Sequence, residues 1–178
     1  RLERRLPLLT GGGRDWPLRL QTMRGAIAWS HDLLPLAEQV LFRRLAVFVD
    51  GATLDAVEAV GSAGESPEDH PHVVLDLVAT LVEASLLRSD VGPDGTVRYR
   101  MLETIREFAE ERLVASGEAA AIRQRHAAYF TAFAERYELA ELLPDGERAR
   151  TLLEADHANL RAALTWLAEE APAEPFLR

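Results

Sequence analysis

The stretch "LLRSDVGPDGTVRYRMLETIREFAEERL", residues 86–113, decides the fold, because its apolar pattern changes from that of strands to that of a helix. Residues 86–90 and 96–101 flank the turn sequence Asp94-Gly95 and predict a β-hairpin. From residue 102 onward the apolar positions recur at helical spacing, which predicts a helix that ends at Ser116. We expect one face of this helix to carry Leu102, Ile105, Phe108, Ala109 and Leu113.

The residues before this hairpin predict four helices, at 20–34, 36–45, 54–60 and 73–84. Between the second and third helices, the apolar run Ala46–Val49 predicts a brief strand, and Asp50-Gly51 predicts a turn. Thr53 is placed to cap the third helix. A helix, a short strand, two helices and a hairpin in this order predict a winged helix, which is a helix-turn-helix followed by a two-stranded wing.

The residues after the hairpin are helical throughout. Helical patterns continue over 118–142, 147–155 and 157–169. Two antiparallel helices that cannot bury their apolar faces alone predict the start of a tetratricopeptide-like array. We therefore expect a mainly α chain in three parts, which are a linker at 1–17, a winged-helix domain at 18–101 and a helical region at 102–178.

Composition excludes several kinds of site. The chain has no cysteine, which excludes disulfides and thiolate metal sites, and its 20 basic residues are all arginine. A GxxxxGK[ST] phosphate-binding loop needs a lysine, so an ATPase core cannot be complete within these residues. No apolar run is long enough to cross a bilayer and no secretory signal opens the chain, so we expect a cytoplasmic protein without membrane contact. The chain begins at Arg1 rather than methionine, and we expect it to be a piece of a longer one.

The charge of the chain argues against nucleic-acid binding. The net charge is −9, to which residues 36–101 contribute −6. The segment that holds the second helix of the predicted helix-turn-helix, residues 72–87, contains no arginine and carries Asp76 and Glu83. A helix that reads DNA presents Arg, Lys, Asn or Gln to base edges, so we predict that this helix packs against protein. Cations that could still contact a phosphate backbone lie on the hairpin, at Arg88, Arg98 and Arg100.

The five histidines do not form a catalytic constellation. His31 has no nucleophile placed beside it by the sequence, and we expect it on a helix surface. His70 and His72 lie in an acidic loop and would bind a metal only loosely. We expect His126 to pack or cap within the helical array and His157 to lie at a helix start. The sequence therefore predicts no catalytic residue, no metal site and no enzyme activity in this segment.

Several long strings point to one family. They are "RLPLLTGGGRDWPLRLQTMRGAIAWSHDLL", "LFRRLAVFVDGATLDAVEAV", "LDLVATLVEASLL" and "YRMLETIREFAEERL", in this order along the chain. Together they resemble the region that follows the nucleotide-binding core in bacterial STAND-class ATPases, the AP-ATPase/NB-ARC-like regulators that include LuxR-type and SARP-type transcriptional regulators. The string "HANLRAALTWL", residues 157–167, resembles the entry to their tetratricopeptide-like region.

The resemblance implies a role for the junction between hairpin and helix. Related plant-immunity and apoptotic proteins carry Met-His-Asp there, and the histidine is understood to contact the phosphate of bound ADP. Met101-Leu102-Glu103 stands at that position, so these residues are the candidate nucleotide-sensing junction. Leucine cannot donate a hydrogen bond to phosphate, which leaves two alternatives: closure over ADP by other contacts or by packing, or Leu102 as simply the first core residue of its helix.

The resemblance also implies the function. We expect a regulatory segment of a multidomain ATP-dependent transcriptional regulator, which docks on its own nucleotide-binding domain and relays signals from a partner or ligand at the helical region. ATP or ADP with Mg²⁺ would bind elsewhere in the parent protein, and other domains of the parent would bind DNA. The alternative is a free-standing winged-helix DNA-binding regulator with a helical dimerisation tail.

Overall fold

The chain is mostly helical, with one small antiparallel sheet, in the part that the computed structural model describes, residues 18–62, 73–92, 95–140 and 146–170. This confirms the predicted fold class. In chain order, the elements are α1 (Leu18–Asp32), α2 (Leu36–Arg44), a 3₁₀ turn (Leu45–Val47), β1 (Ala52–Thr53), α3 (Leu54–Gly61), α4 (Val73–Glu83), β2 (Arg88–Val91), β3 (Val97–Arg100), α5 (Glu103–Ser116), α6 (Ala119–Ala140), α7 (Gly146–Ala155) and α8 (His157–Glu170).

The helix ends follow local chemistry. Thr53 caps α3 as predicted, since its hydroxyl oxygen accepts a hydrogen bond from the Ala56 N–H at 3.4 Å. Gly117 ends α5 in the left-handed conformation, with φ of 78°, which a glycine adopts without steric cost. Pro35 precedes the first residue of α2, where its missing N–H costs no helical hydrogen bond.

The first strand lies later in the chain than the sequence predicts. Ala46 and Val47, the first half of the run expected to be a strand, belong to the 3₁₀ turn, and β1 begins only at Ala52. All three residues of the turn are buried, so this run does not alternate between two faces as a half-buried strand would. Asp50 and Gly51 then reverse the chain with φ of 66° and 86°, which confirms the predicted turn.

The sheet joins the helix-turn-helix to the hairpin. Its strand order is β1-β3-β2, and both pairs are antiparallel. Ala52 lies opposite Tyr99, while Arg88 lies opposite Arg100. The predicted hairpin is therefore confirmed, and its second strand is the central one, held between β1 and the outer strand β2.

Gly51, the residue before β1, lies very close to the backbone of β3. A Cβ atom at Gly51 would lie 2.6 Å from the Tyr99 carbonyl oxygen, whereas one at Gly95, which has a similar φ of 82°, would meet nothing within 4 Å. We expect Gly51→Ala to lower the free energy of unfolding by about 2–4 kcal/mol, from left-handed strain plus overpacking. Gly95→Ala carries only the strain and should cost about 1 kcal/mol. Urea denaturation measures both, and equal losses would contradict the close contact.

The helix after the hairpin packs into the same apolar core as the helices before it. α5 lies against α1, α2 and the 3₁₀ turn. Phe108 of α5 and Phe42 of α2 are almost fully buried, with ring centroids 6.3 Å apart. An ion pair adds to this contact, because Arg24 of α1 donates to Glu111 of α5 at 2.6 and 3.2 Å.

The remaining helices extend this core. α6 packs along α7, α8 and α3, so the helical region contacts the helix-turn-helix directly. Arg43 and Arg44 of α2 hold the start of α6, each at 2.7 Å from the Glu118 carboxylate. The hydrogen bond from Arg44, helped by that from Arg43, lowers the pKa of Glu118. In the described ranges, no helix is long and apolar enough to span a membrane.

Candidate functional site

Leu102 lies at the junction between β3 and α5, and 44% of it is exposed to solvent. Its backbone is extended, and its carbonyl accepts hydrogen bonds from the N–H groups of Ile105 and Arg106, both at 2.9 Å. A residue that precedes the helix does not follow the helical period, so the prediction that Leu102 is a core residue of α5 is wrong. The other predicted positions on that face are buried, namely Ile105, Phe108, Ala109 and Leu113.

The two neighbours of Leu102 have different surroundings. Met101 is partly buried and packs against the core. The Glu103 carboxylate accepts from Nη2 and Nε of Arg106 at 2.9 and 3.2 Å. Arg106 also donates to the Ala46 carbonyl at 3.4 Å, which ties the start of α5 to the 3₁₀ turn. The three side chains of the junction therefore present apolar surface and a carboxylate, and none of them donates a hydrogen bond.

The outward face of α4 is apolar and acidic. Val78 and Leu81 face the core, while Val73 and Leu75 are 37% and 41% exposed. The other exposed residues of this helix are Asp76, Ala79 and Glu83. Between residues 73 and 83, α4 carries no arginine, asparagine or glutamine that could read a base edge.

The three arginines of the hairpin differ in what they can reach. Arg98 is 2% exposed, so it cannot contact a phosphate backbone as the sequence allowed. Arg100 is partly exposed and lies 3.4 Å from Asp50 and 3.8 Å from Asp90. Arg88 is exposed on β2. The wing therefore offers two solvent-facing guanidinium groups, one of which already has carboxylate neighbours.

A buried polar cluster joins the wing to α8. Arg98 donates through two nitrogens to the two oxygens of Asp156, at 2.5 and 3.0 Å. Asn159 donates to Asp156 at 3.0 Å and to the Gly51 carbonyl at 2.9 Å, and its side-chain oxygen accepts from the Val49 N–H at 2.7 Å. Arg98, Asp156 and Asn159 are at most 4% exposed. We call Arg98, Asp156, Asn159 and the backbone of 49–51 the buried link.

His126 of α6 completes this cluster. It is 3% exposed, packs against Phe48 and Phe130, and donates from Nε2 to the Asn159 side-chain oxygen at 3.4 Å. Burial lowers the pKa of His126 to about 4, although the hydrogen bond to Asn159 and the charge of Asp156 act in the opposite direction. His126 is therefore neutral near pH 7 and adds no cation to the molecule.

Comparison with known proteins agrees with this arrangement. Residues 34–114 match a family described as "Winged helix-turn-helix domain". In those residues the structure has α2, β1, α3, α4, the hairpin and α5. Residues 34–114 form a winged helix-turn-helix domain. No solved structure matches the chain.

The curated relatives of the chain are longer than it is. A Mycobacterium tuberculosis protein named "Putative HTH-type transcriptional regulator" is 44% identical over 162 residues, which are 91% of this chain and 18% of that protein. A Mycobacterium bovis protein with the same description matches equally. An "Uncharacterized protein" of Mycobacterium tuberculosis is 35% identical over 125 residues, 70% of the chain and 31% of that protein. The chain thus spans about a fifth of the length of the first two.

The structure differs from the sequence prediction for His31 and agrees with it for His126 and His157. His31 is 8% exposed and lies between the rings of Phe42 and Phe108, at 5.5 and 5.6 Å, so the surface position expected for it is wrong. Its Nδ1 lies 3.0 Å from the Asp32 carboxylate. His157 is exposed at the start of α8. His70 and His72 lie outside the described residues, and the described ones contain no group of side chains suited to a metal ion.

Further exposed apolar residues lie outside α4, at and just before the start of the winged helix-turn-helix domain. Trp29, Leu33 and Leu36, at the end of α1 and the start of α2, are 68%, 64% and 74% exposed. Leu33 directly follows the last residue of α1, and its N–H donates to the Trp29 carbonyl at 3.2 Å.

The buried link was not predicted from the sequence. Asn159 offered the clearest signal, since it shares the helical spacing of Ala163 and Trp166 on the inward face of α8. An amide at a core position needs buried partners, but the sequence does not say which ones. Those partners lie 58 and 108 positions away along the chain, at Arg98 for Asp156 and at Gly51 for Asn159.

Proposed function

We propose that this chain is the regulatory segment of a larger transcriptional regulator and that its winged helix-turn-helix domain docks on another domain of the same protein. The apolar and acidic outward face of α4 carries this proposal. Val73 and Leu75 supply apolar contact, while Asp76 and Glu83 would repel a phosphate backbone. The names of the curated relatives support the wider class, a transcriptional regulator.

The buried link supports the proposal that the helical region relays signals. It joins the wing and the turn at 49–51 to α8 through direct hydrogen bonds. A shift of α8 alone would break several of these hydrogen bonds at once, which is costly for buried polar groups. We therefore expect α8 to move together with the wing and the turn at 49–51. We propose the division into a linker at 1–17, a winged-helix domain at 18–101 and a helical region at 102–178 as the units of this relay.

We also propose, from the family resemblance, that the parent is a STAND-class ATPase whose nucleotide-binding domain receives this segment and holds ATP or ADP with Mg²⁺. The side chains of Met101, Leu102 and Glu103 do not fit a phosphate group, because they include no hydrogen-bond donor and add a negative charge. The exposed Leu102 fits an apolar contact instead. The proposal therefore includes no contact between these three side chains and the phosphates of the nucleotide.

DNA binding by this domain is the second candidate function. The match to a winged helix-turn-helix family favours it, as do the exposed Arg88 and Arg100 on the wing. In this case the chain is a DNA-binding regulator with a helical dimerisation tail. The two candidates predict different affinities of the chain for duplex DNA, so a DNA-binding measurement distinguishes them.

A fluorescence-anisotropy titration with random duplex DNA tests the proposal. At about 50 mM salt we expect no saturation below about 100 μM protein, because the surface is acidic. Arg88→Glu serves as the matched variant, since it removes a wing cation without touching the core. Micromolar binding that falls steeply with salt and is lost in Arg88→Glu would overturn the proposal in favour of the DNA-binding candidate.

A further inference from the structure

A cleft of about 790 Å³ opens between α5 and α8. The 3₁₀ turn and Val49 form one part of its lining, and α6 contributes Arg123 and His126. The cleft runs along α5 from Glu103 to Ala115, which is about 18 Å at the helical rise. Its volume lies in the range of roughly 300–1,000 Å³ that small-molecule sites occupy.

The lining of this cleft is negatively charged. All four glutamates of α5 and Glu169 of α8 line it, against the guanidinium groups of Arg106 and Arg123, within the described part of the chain. Arg24 of α1 also pairs with Glu111 at 2.6 Å, and the five carboxylates still outnumber these three arginines. Burial alone would lower the pKa of Arg106, yet the hydrogen bond to Glu103 and the charges of nearby glutamates raise it above its ordinary value. The charges at this position therefore favour a cation.

The cleft also has apolar walls. Val47, Val49 and Val114 line it, and the partly buried indole of Trp166 stands on the α8 side. An indole ring attracts a cation placed over its face, because the face of the ring carries partial negative charge. Apolar walls, one aromatic ring and an excess of carboxylates are complementary to a ligand that combines an apolar body with positive charge.

We propose that this cleft binds a small amphipathic organic cation, whose apolar body lies against Trp166 and the valines and whose positive charge faces the glutamates. The family match and the relatives' names assign no ligand to these residues. The ligand would contact α5 and the 3₁₀ turn on one side and α8 on the other.

Such a ligand would act on the buried link. His126 lines the cleft and also donates to Asn159 of the link, so the two sites share a residue. Occupancy would stabilise the present arrangement of α8 against the winged helix-turn-helix domain, since a ligand stabilises the state that it binds. This regulatory consequence rests on the proposed function, whereas binding itself does not.

Berberine and 1-anilinonaphthalene-8-sulfonate are suitable probes, because both are aromatic, both fluoresce more strongly in apolar sites, and they carry opposite charges. We expect saturable binding of berberine by the 178-residue chain at one site, at least about tenfold tighter than that of the sulfonate, since the charge difference amounts to more than about 1.4 kcal/mol. Glu169→Arg should weaken berberine binding about tenfold, and Trp166→Phe about threefold.

Matched variants control for charge and for indole loss. Glu170→Arg changes the net charge equally on the next residue of α8, which does not line the cleft, and should leave berberine binding unchanged. Trp29→Phe, at an exposed tryptophan of α1, should do the same. The proposal fails if both probes bind equally, if Glu170→Arg weakens binding as much as Glu169→Arg, or if spermidine, which has no apolar body, competes as well as berberine. These results are independent of whether the chain binds DNA, so either proposal can fail alone.

Discussion

Replacing Asp156 with alanine is expected to lower the free energy of unfolding by about 3–5 kcal/mol, the range for one partner removed from a buried ion pair. The side chain of Arg98 is only 3% exposed and would lose both hydrogen bonds to the carboxylate. Its charge would then remain buried without that partner. Urea denaturation followed by circular dichroism measures this loss as a shift of the midpoint.

Two further variants test the interpretation of this loss. Arg100→Ala removes an arginine of the same strand that is 44% exposed and pairs with carboxylates at the surface, and it should cost less than about 1 kcal/mol. The double variant Arg98→Met with Asp156→Leu removes both charges and should recover much of the loss. If Asp156→Ala costs no more than Arg100→Ala, the buried link does not hold the wing to α8.

Replacing Phe108 with alanine is expected to cost about 3–5 kcal/mol, the range for a large buried aromatic side chain. Phe108 is 2% exposed and contacts the rings of His31 and Phe42. The guanidinium groups of Arg24 and Arg112 also lie over its ring, at 5.4 and 4.8 Å from the centroid. The substitution therefore leaves a cavity where α1, α2 and α5 meet, and it removes two cation–π contacts.

The same helix provides the control for this substitution. Val114→Ala changes an α5 residue that is 58% exposed, and it should alter the free energy of unfolding by less than about 0.5 kcal/mol. Thermal and urea denaturation of both variants give the comparison. A loss below about 1 kcal/mol for Phe108→Ala would mean that α5 is not part of the core shared with α1 and α2.

The helices and the hairpin could be predicted because their signals are local. Apolar spacing placed α3, α4 and α5 within a few residues of their observed ends, and Thr53 and Gly117 marked two of those ends. The prediction of a strand at Ala46–Val49 was wrong, because a short apolar run has the same sequence pattern whether it forms a strand or a fully buried 3₁₀ turn. Pattern could not separate them, since every residue of the turn faces inward.

The candidate site was predictable only in its charge. The absence of cations on α4 is visible in the sequence, and the structure adds that the apolar Val73 and Leu75 face outward beside the acids. The surface position of Leu102 and the burial of His31 depend on how α5 is oriented on α1 and α2, which no local pattern specifies. Arg98 looked like a surface cation because its partner, Asp156, follows it in the chain only after three helices, α5, α6 and α7.

The length of α5 has a mechanical consequence. This helix has 14 residues, so it is about 20 Å long. It begins at the junction with the wing and ends two residues before Glu118, which pairs with Arg43 and Arg44 of α2. Treated as a rigid rod pivoting at Glu103, it would carry its far end through about 3.5 Å for a tilt of about 10°. A displacement of this size would lengthen the contacts of Arg43 and Arg44 with Glu118, now 2.7 Å, beyond hydrogen-bonding distance. A small rotation at the hairpin would therefore break these contacts, with α5 acting as a lever arm.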